Sequence, residues 1–129
     1  MSGAVLISIV DDDRPFRESM RRLLRSLGYV AEDFPTATDF LASRRVNETR
    51  CLIADVHMPA MTGIELYRHL IDTGRRVPTI LVTARPTEAD RDRALRDGVV
   101  GYLGKPLDEE SLSRCLRAAL DSNGAVANP

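Results

Sequence analysis

The chain has very little lysine, no tryptophan and no long hydrophobic run. Lys105 is the only lysine among 18 basic residues, and aromatic side chains make up 5% of the sequence. The longest apolar run, Val5 to Val10, is interrupted by Ser8, whereas a membrane-spanning helix needs about 20 apolar residues. The run ends in three aspartates rather than in a cleavage site, so we expect a cytoplasmic protein without a membrane segment.

The chain also has few cysteines and almost no net charge. Cys51 and Cys115 are the only cysteines, and no export signal accompanies them. We expect both to be reduced residues of the core, because disulfides are rare in cytosolic proteins. The formal net charge is −1, which gives no bulk attraction to nucleic acid or to an anionic membrane. We therefore expect this chain to bind neither directly.

The length and composition fit one globular domain. The chain has 129 residues, 43% of them hydrophobic and 29% charged, which is enough to enclose a single core. The last stretch, "DSNGAVANP", has no periodicity. We expect a domain over residues 1–121 and a flexible tail or linker stub over residues 122–129.

Short aliphatic or β-branched runs alternate five times with segments of helical period. The runs lie at residues 5–10, 29–34, 51–54, 77–82 and 99–103. This alternation predicts an α/β fold with a mostly parallel five-stranded sheet and helices on both faces.

Polar residues that cap helices mark where the predicted helices begin. The spacing predicts caps at Asp13, Thr36 and Thr62, the last with Glu65 in a capping box, and a final helix that starts after Asp108.

The third helix is predicted to bury the apolar residues Ile64, Leu66 or Tyr67, Leu70 and Ile71. The fourth helix, residues 87–96, offers little more than Ala89, Ala94 and Leu95 to a core, so we expect it to be the loosest. The fifth helix is predicted to turn Leu112, Cys115, Leu116 and Ala119 inward.

Side chains suited to one shared binding site follow four of the predicted strands. Asp11, Asp12 and Asp13 follow the first, Asp55 the third, Thr83 and Ala84 the fourth, and Lys105 the fifth. In parallel sheets the ligand site lies beyond the carboxyl ends of the strands. Each of these residues alone is more often a turn former, a helix cap or a solvated charge. Their shared location is what favours a site.

Three carboxylates in one crevice repel one another unless a cation lies among them. Mg²⁺ prefers one or two carboxylates, water and a phosphate oxygen. The carboxylate of Asp55 is then both ligand and nucleophile, because a carboxylate can attack phosphorus and form an aspartyl phosphate. We expect Lys105 to neutralise another phosphoryl oxygen, the Thr83 hydroxyl to donate a hydrogen bond to a third, and the small Ala84 to leave room for the group.

The motifs resemble those of receiver domains of bacterial two-component response regulators. The matching residues are "VDDD" at 10–13, "DVHMPAMTGIEL" at 55–66, "VTA" at 82–84 and "GYLGKP" at 101–106. The likeness covers residues 4–121 and is closest to the receivers of nitrogen-fixation-type regulators. It implies a flavodoxin-like sheet with strand order 2-1-3-4-5.

The resemblance also implies a role for each site residue. Asp11 and Asp12 bind Mg²⁺ together with Asp55 and the main-chain carbonyl of His57. Asp55 accepts a phosphoryl group from a histidine kinase or a phosphotransfer protein, and Lys105 binds it, with a cis bond to Pro106.

The resemblance further implies that Thr83 and Tyr102 form a switch pair, in which the threonine moves toward the phosphoryl group and the tyrosine swings inward. The resemblance implies that His57, Ala84 and Arg85 influence access of the hydrolytic water. For Arg85, the interpretation that its side chain simply points into solvent has at least equal support. The face of helix 4, strand 5 and helix 5 binds a downstream protein or a second copy. Such a domain catalyses only its own phosphorylation and dephosphorylation.

Three other interpretations stay open. An aspartate-nucleophile phosphatase needs a second acid two residues after the nucleophile, where this chain has His57. A flavin- or nucleotide-binding module needs a phosphate cradle after the first strand, where this chain has three aspartates. A DNA-binding regulator needs a helix-turn-helix domain, which residues after 121 are too few to supply. The chain is either a stand-alone receiver or a piece of such a longer regulator.

Overall fold

The structure, a computed structural model, describes residues 4–126 and the side chains of residues 4–121. Strands and helices alternate along the chain, as the sequence predicts. They are β1 (Leu6–Val10), α1 (Arg14–Ser26), β2 (Val30–Phe34), α2 (Ala37–Ala42), β3 (Thr49–Asp55), α3 (Gly63–Asp72), β4 (Thr79–Thr83), α4 (Glu88–Asp97), β5 (Gly101–Gly104) and α5 (Glu109–Val126).

All strand pairs are parallel, and the sheet has the order β2-β1-β3-β4-β5. This confirms the predicted fold class and strand order. The order reverses direction at β1, whose neighbours are β2 and β3. The carboxyl ends of β1 and β3 therefore border the crevice in which ligands of such sheets bind.

Helices cover both faces of the sheet, and each face has its own hydrophobic core. α1 and α5 pack on one face, where Met20 and Leu24 meet Leu112 and Leu116 over the strands. α2, α3 and α4 pack on the other face, which includes Phe40, Leu66, Tyr67, Leu70 and Ala94. β1 and β4 are buried throughout, and β3 is buried except at Arg50, as expected for strands of a parallel sheet that is covered on both faces.

The predicted helix starts are confirmed. The side chains of Asp13 and Thr36 accept the main-chain N–H three residues ahead. Thr62 and Glu65 form both hydrogen bonds of the capping box. Asp108 accepts the N–H of Ser111 at the start of α5. These contacts satisfy N–H groups that have no partner inside their own helix.

Several predictions about buried positions are wrong. Ile71 is 46% exposed, because the buried stripe of α3 runs through Leu66, Tyr67 and Leu70 and leaves Ile71 at its edge. Leu95 is 38% exposed, since its neighbour Ala94 takes the inward position, and one residue turns a helix by about 100°. Ala89 is exposed as well. Ala94 is thus the one buried residue of α4.

One further element differs from the prediction. A 3₁₀ helix, Arg44–Glu48, follows α2, buries Val46 and has no counterpart among the predicted elements. α5 continues to Val126, past the predicted boundary at residue 121. Residues 127–129 of the expected tail lie outside the described residues, and the domain boundary remains a prediction. Among the described residues, no helix is both long and apolar enough to cross a membrane.

Candidate functional site

Three carboxylates meet at the carboxyl ends of β1 and β3. One oxygen from each of Asp11, Asp12 and Asp55 lies within 4.8 Å of the other two. Asp11 is fully buried and Asp55 is 6% exposed, whereas Asp12 is exposed. The structure thus brings together the acids that the sequence singled out, in a crevice open on the side of Asp12.

Hydrogen bonds hold Asp11 on every side. Its N–H donates to the carbonyl of Phe34, 3.1 Å away. Its carboxylate accepts the N–H of Asp13 at 2.9 Å and the ammonium of Lys105 at 2.7 Å. Burial raises the pKa of Asp11, the two hydrogen bonds oppose that rise, and the charge of Asp55 adds to it. A buried acid beside a second acid favours a cation nearby.

Lys105 supplies that cation within the protein itself. Its Nζ lies 2.7 Å from Asp11 Oδ2 and 3.5 Å from Asp55 Oδ2, and its side chain is 15% exposed. Burial lowers the pKa of Lys105, but the hydrogen bond and charge of Asp11, followed by Asp55, outweigh burial and hold this pKa above its ordinary value. The bond from Lys105 to Pro106 is cis, as predicted.

Asp55 ends β3 and is fixed by the loop that follows it. Its Oδ1 accepts the N–H of His57 at 3.1 Å, while its Oδ2 faces Lys105. The main-chain carbonyl of Asp55 lies so close to Gly63 that any side chain at residue 63 would collide with it. Glycine at the first residue of α3 therefore lets the helix pack directly against the end of β3.

Thr83 is joined to Lys105 through the backbone. Thr83 is fully buried, its Oγ1 accepts the N–H of Arg85 at 3.0 Å, and its carbonyl accepts the N–H of Lys105 at 2.8 Å. Ala84, Arg85 and His57 are exposed around the crevice. The side chains predicted to influence access are thus open to solvent, and their effect on hydrolysis stays a prediction.

Tyr102 lies inward, in the core beneath α4. It is 7% exposed, and its Oη accepts the N–H of Thr87, the residue that caps α4, at 3.2 Å. In the sheet register Tyr102 pairs with Leu81, two residues before Thr83. The tyrosine therefore occupies the inward position of the predicted switch and is joined to the first turn of α4.

Two neighbours of the site carry no distinguishing signal in the sequence. The ring of Phe16 lies under the ammonium of Lys105, with 4.3 Å between Nζ and the ring centroid. Arg17 donates to the main-chain carbonyl of Asp11 at 2.8 Å. Phe16 falls on the apolar stripe of α1, and Arg17 is one of several arginines on that helix, so only tertiary structure reveals their contacts.

The donor set fits a magnesium ion. Mg²⁺ takes oxygen ligands and is bound by a small number of carboxylates together with water. The cluster offers a buried, a nearly buried and an exposed carboxylate within reach of one another. The position of the His57 carbonyl as a further ligand stays a prediction.

The sequence and the fold match known proteins of one family. The model of the response regulator receiver domain matches residues 7–117. The chain is 36% identical over 117 residues to the response regulator protein TodT of Pseudomonas putida, covering 91% of this chain and 52% of that protein. It is 41% identical over 120 residues to the response regulator MprA of Mycobacterium tuberculosis, covering 91% of this chain and 51% of that one.

A solved structure agrees with both sequence matches. The response regulator StyR superposes with a TM-score of 0.85 at 34% identity, over 97% of this chain and 63% of that one. The chain thus spans about half the length of the two curated relatives. Family model, relatives and fold agree over nearly the whole chain, which therefore belongs to the family of response regulator receiver domains.

Proposed function

We propose that this receiver domain accepts a phosphoryl group on the carboxylate of Asp55, from a histidine kinase or a phosphotransfer protein. An Asp55 oxygen attacks phosphorus, a new O–P bond forms, and the bond to the donor breaks with its electron pair leaving on the donor atom. The observation that carries the proposal is the position of Asp55 between two acids and the ammonium of Lys105. Asp11 is too confined by its hydrogen bonds to serve, and Asp12 lies outside the contacts of Lys105.

Charge neutralisation is the main requirement of such a transfer. Asp11, Asp12, Asp55 and the His57 carbonyl would hold Mg²⁺, which neutralises phosphoryl oxygens when bound. Lys105 lies between Asp11 and Asp55, so a small shift lets it follow the phosphoryl group on Asp55. The Thr83 hydroxyl, which accepts the N–H of Arg85, still has its own proton to donate to a phosphoryl oxygen.

The output of the domain would pass through α4, β5 and α5. α4 buries only Ala94, and Tyr102 of β5 hydrogen-bonds the residue that caps α4. A group attached to Asp55 that draws Thr83 toward it changes the space next to Tyr102, and hence the balance between two positions of this face. A downstream protein or a second copy of the chain would read that change.

A longer regulator is the second candidate. The chain covers 52% of TodT and 51% of MprA, so the same receiver in a longer chain could control an attached DNA-binding domain. A phosphatase acting on other molecules has less support, because His57, in place of a second acid, is exposed and gives its N–H to Asp55. We therefore propose a phosphoacceptor that works in signalling, in the cytoplasm, rather than an enzyme with its own substrate.

Intact-protein mass spectrometry tests the proposal. The wild type is incubated with Mg²⁺ and acetyl phosphate, beside Asp55→Asn and the control Asp39→Asn, whose side chain is exposed on α2. We expect one acid-labile phosphoryl group on the wild type and on the control, none on Asp55→Asn, and none when a chelator removes Mg²⁺. An unmodified wild type, or equal modification of Asp55→Asn, would contradict the assignment.

A further inference from the structure

Arg17 is held in one geometry by two partners. Its Nε donates to Asp33 Oδ2 at 2.7 Å, and its Nη1 donates to the main-chain carbonyl of Asp11 at 2.8 Å. The side chains of Arg17 and Asp33 are 13% and 19% exposed. Such confinement is unusual for an arginine, which is mostly exposed in folded proteins. Arg17 thus connects the edge strand β2, which carries Asp33, to the loop that carries the acidic pair.

The bond from Arg17 acts on Asp12 as well as on Asp11. The carbonyl of Asp11 belongs to the planar peptide group that leads into Asp12. Fixing that carbonyl therefore fixes the direction in which the chain enters Asp12. Among the described residues, no side chain or backbone group forms a hydrogen bond with the Asp12 carboxylate, which is exposed. The placement of this carboxylate thus depends on its backbone, and its backbone depends on Arg17.

Arginine suits this role because its planar group presents several N–H donors in fixed directions. One donor serves Asp33 and another serves the Asp11 carbonyl at the same time. A lysine in the same place has one nitrogen and cannot make both contacts with the same geometry. Asp33 pairs with Ile9 in the sheet register, which places the carboxylate that orients Arg17 on the strand next to β1.

Arg21 shares the same carboxylate without touching the site. Its Nη1 lies 3.5 Å from Asp33 Oδ1, and its Nε is buried with no hydrogen-bond partner among the residues that the structure describes. Arg17 and Arg21 are thus two arginines of one helix, paired with one acid. Only Arg17 reaches the main chain of Asp11, which makes Arg21 a matched control.

We propose that Arg17, oriented by Asp33, is a positioning residue that sets the geometry of Asp11 and Asp12 for binding Mg²⁺. This inference rests on the proposed function only in taking the acidic cluster as the magnesium site. Residues that hold metal ligands in place from outside the ligand set affect metal affinity when they are replaced, by about tenfold to a hundredfold. Arg17 does so through a main-chain carbonyl.

Magnesium affinity of the metal-free protein, without any phosphodonor, is the first measurement. Calorimetry with Mg²⁺, or competition against Mn²⁺ followed by electron paramagnetic resonance, compares the wild type with Arg17→Gln, Arg17→Lys and Arg21→Gln. We expect affinity to fall about tenfold in both Arg17 variants and to stay at the wild-type value in Arg21→Gln. Equal affinity in the wild type and Arg17→Gln, or an equal loss in Arg21→Gln, would overturn the proposal.

The rate of phosphorylation as a function of Mg²⁺ concentration is the second measurement. A positioning role predicts that Arg17→Gln needs more Mg²⁺ for half its maximal rate and regains the wild-type rate at saturation. A loss of maximal rate with an unchanged Mg²⁺ requirement would instead show a general structural role. If Arg17→Gln does not fold, Asp33→Asn replaces it, because it leaves Arg17 in place and weakens its orientation, while Arg21→Gln controls for the loss of the contact between Asp33 and Arg21.

The inference and the proposed function fail in different ways. A wild type that binds Mg²⁺ but gains no phosphoryl group on Asp55 contradicts the proposed function and leaves the role of Arg17 intact. A wild type that is phosphorylated on Asp55, together with Arg17→Gln and Asp33→Asn variants of unchanged Mg²⁺ affinity, contradicts only the role of Arg17.

Discussion

Lys105 fills a narrow space between two carboxylates and an aromatic ring. Its ammonium contacts Asp11, faces Asp55 and lies over Phe16. A compact charge on a flexible stem can move between two oxygens in such a space, whereas the wide planar group of arginine cannot turn as freely. The use of lysine once in a chain with 18 basic residues is explained by this geometry.

Lys105→Arg is expected to fold and to accept a phosphoryl group, but to transmit it poorly to Thr83 and Tyr102. The reason is that the larger group keeps its contact with Asp11 and cannot follow the phosphoryl oxygens. Hydrogen exchange of the α4 backbone, with and without phosphodonor, measures the transmission. A phosphorylation-dependent change in α4 equal to that of the wild type would contradict this explanation.

Cys51 is expected to make the protein less stable in alkali. It is fully buried, and burial, with a smaller contribution from Cys115, raises its pKa to about 12. The unfolded thiol ionises near pH 8.5, so the folded state keeps its proton over the interval between these values. Stability contributed by the neutral thiol is therefore complete below about pH 8.5 and is lost as the pH rises toward 12.

Urea unfolding at pH 7.5 and pH 10 checks this expectation. The wild type should lose about 2 kcal/mol more of its unfolding free energy over that interval than Cys51→Val does. Cys51 should also resist thiol reagents in the folded protein, while the half-buried Cys115 reacts first. Equal alkaline losses in the wild type and the variant would show that the buried thiol is not the cause.

At the scale of elements, α5 approaches β5 closely because Gly101 has no side chain. A Cβ at residue 101 would lie 2.6 Å from the Sγ of Cys115, which is shorter than any ordinary contact. Gly101→Ala is therefore expected to destabilise the protein by about 1–3 kcal/mol, the usual cost of overpacking a core.

Cys115→Ala removes the colliding atom and serves as the matched control. The double variant should regain most of the stability lost in Gly101→Ala, so thermal or urea unfolding of the four proteins should show strong coupling between the two positions. Additive effects of the two substitutions on stability would show that a collision between residues 101 and 115 is not what destabilises Gly101→Ala. The contact between Gly101 and Cys115 joins β5 to α5. Gly101→Ala should therefore also alter the phosphorylation-dependent changes of the face formed by α4, β5 and α5.

Elements with strong local signals could be predicted, and positions decided by packing could not. The aliphatic runs locate all five strands, and Asp13, Thr36 and Thr62 mark helix starts because their side chains accept the N–H of a residue three positions ahead. The 3₁₀ helix at Arg44–Glu48 has no such local pattern. Helical spacing alone predicts that Ile71 and Leu95 lie in the core, but how far a buried stripe extends depends on what packs against it.

In the candidate site, too, the residues could be predicted from the sequence, but the contacts that depend on packing could not. Asp11, Asp12, Asp55 and Lys105 could be predicted because the carboxyl ends of parallel strands share one edge. The contact of Lys105 with Asp11, closer than that with Asp55, depends on distances across the crevice. The ring of Phe16 and the bond from Arg17 depend on how α1 packs, which no spacing in the sequence encodes.

For the whole molecule, the acidic cluster should couple metal binding to stability. Three carboxylates meet around one point, and an ion that binds only the folded state stabilises it by about 2.7 kcal/mol at a hundred times its dissociation constant. We expect Mg²⁺ to raise the melting temperature of the wild type and to do so far less for Asp12→Asn, which folds with one charge fewer. An equal rise in both proteins would contradict a metal site at Asp12.

The chain spans about half the length of TodT and of MprA, and the function that we propose for it depends on one chemical event, the phosphorylation of Asp55. Borohydride reduction of the phosphorylated protein, followed by peptide mass spectrometry, locates that event directly because it converts an aspartyl phosphate to homoserine. We expect homoserine at residue 55 and at no other aspartate, in a reaction that needs Mg²⁺. Homoserine at Asp11 or Asp12, or none at residue 55 after complete incubation with phosphodonor, would contradict Asp55 as the phosphoryl acceptor.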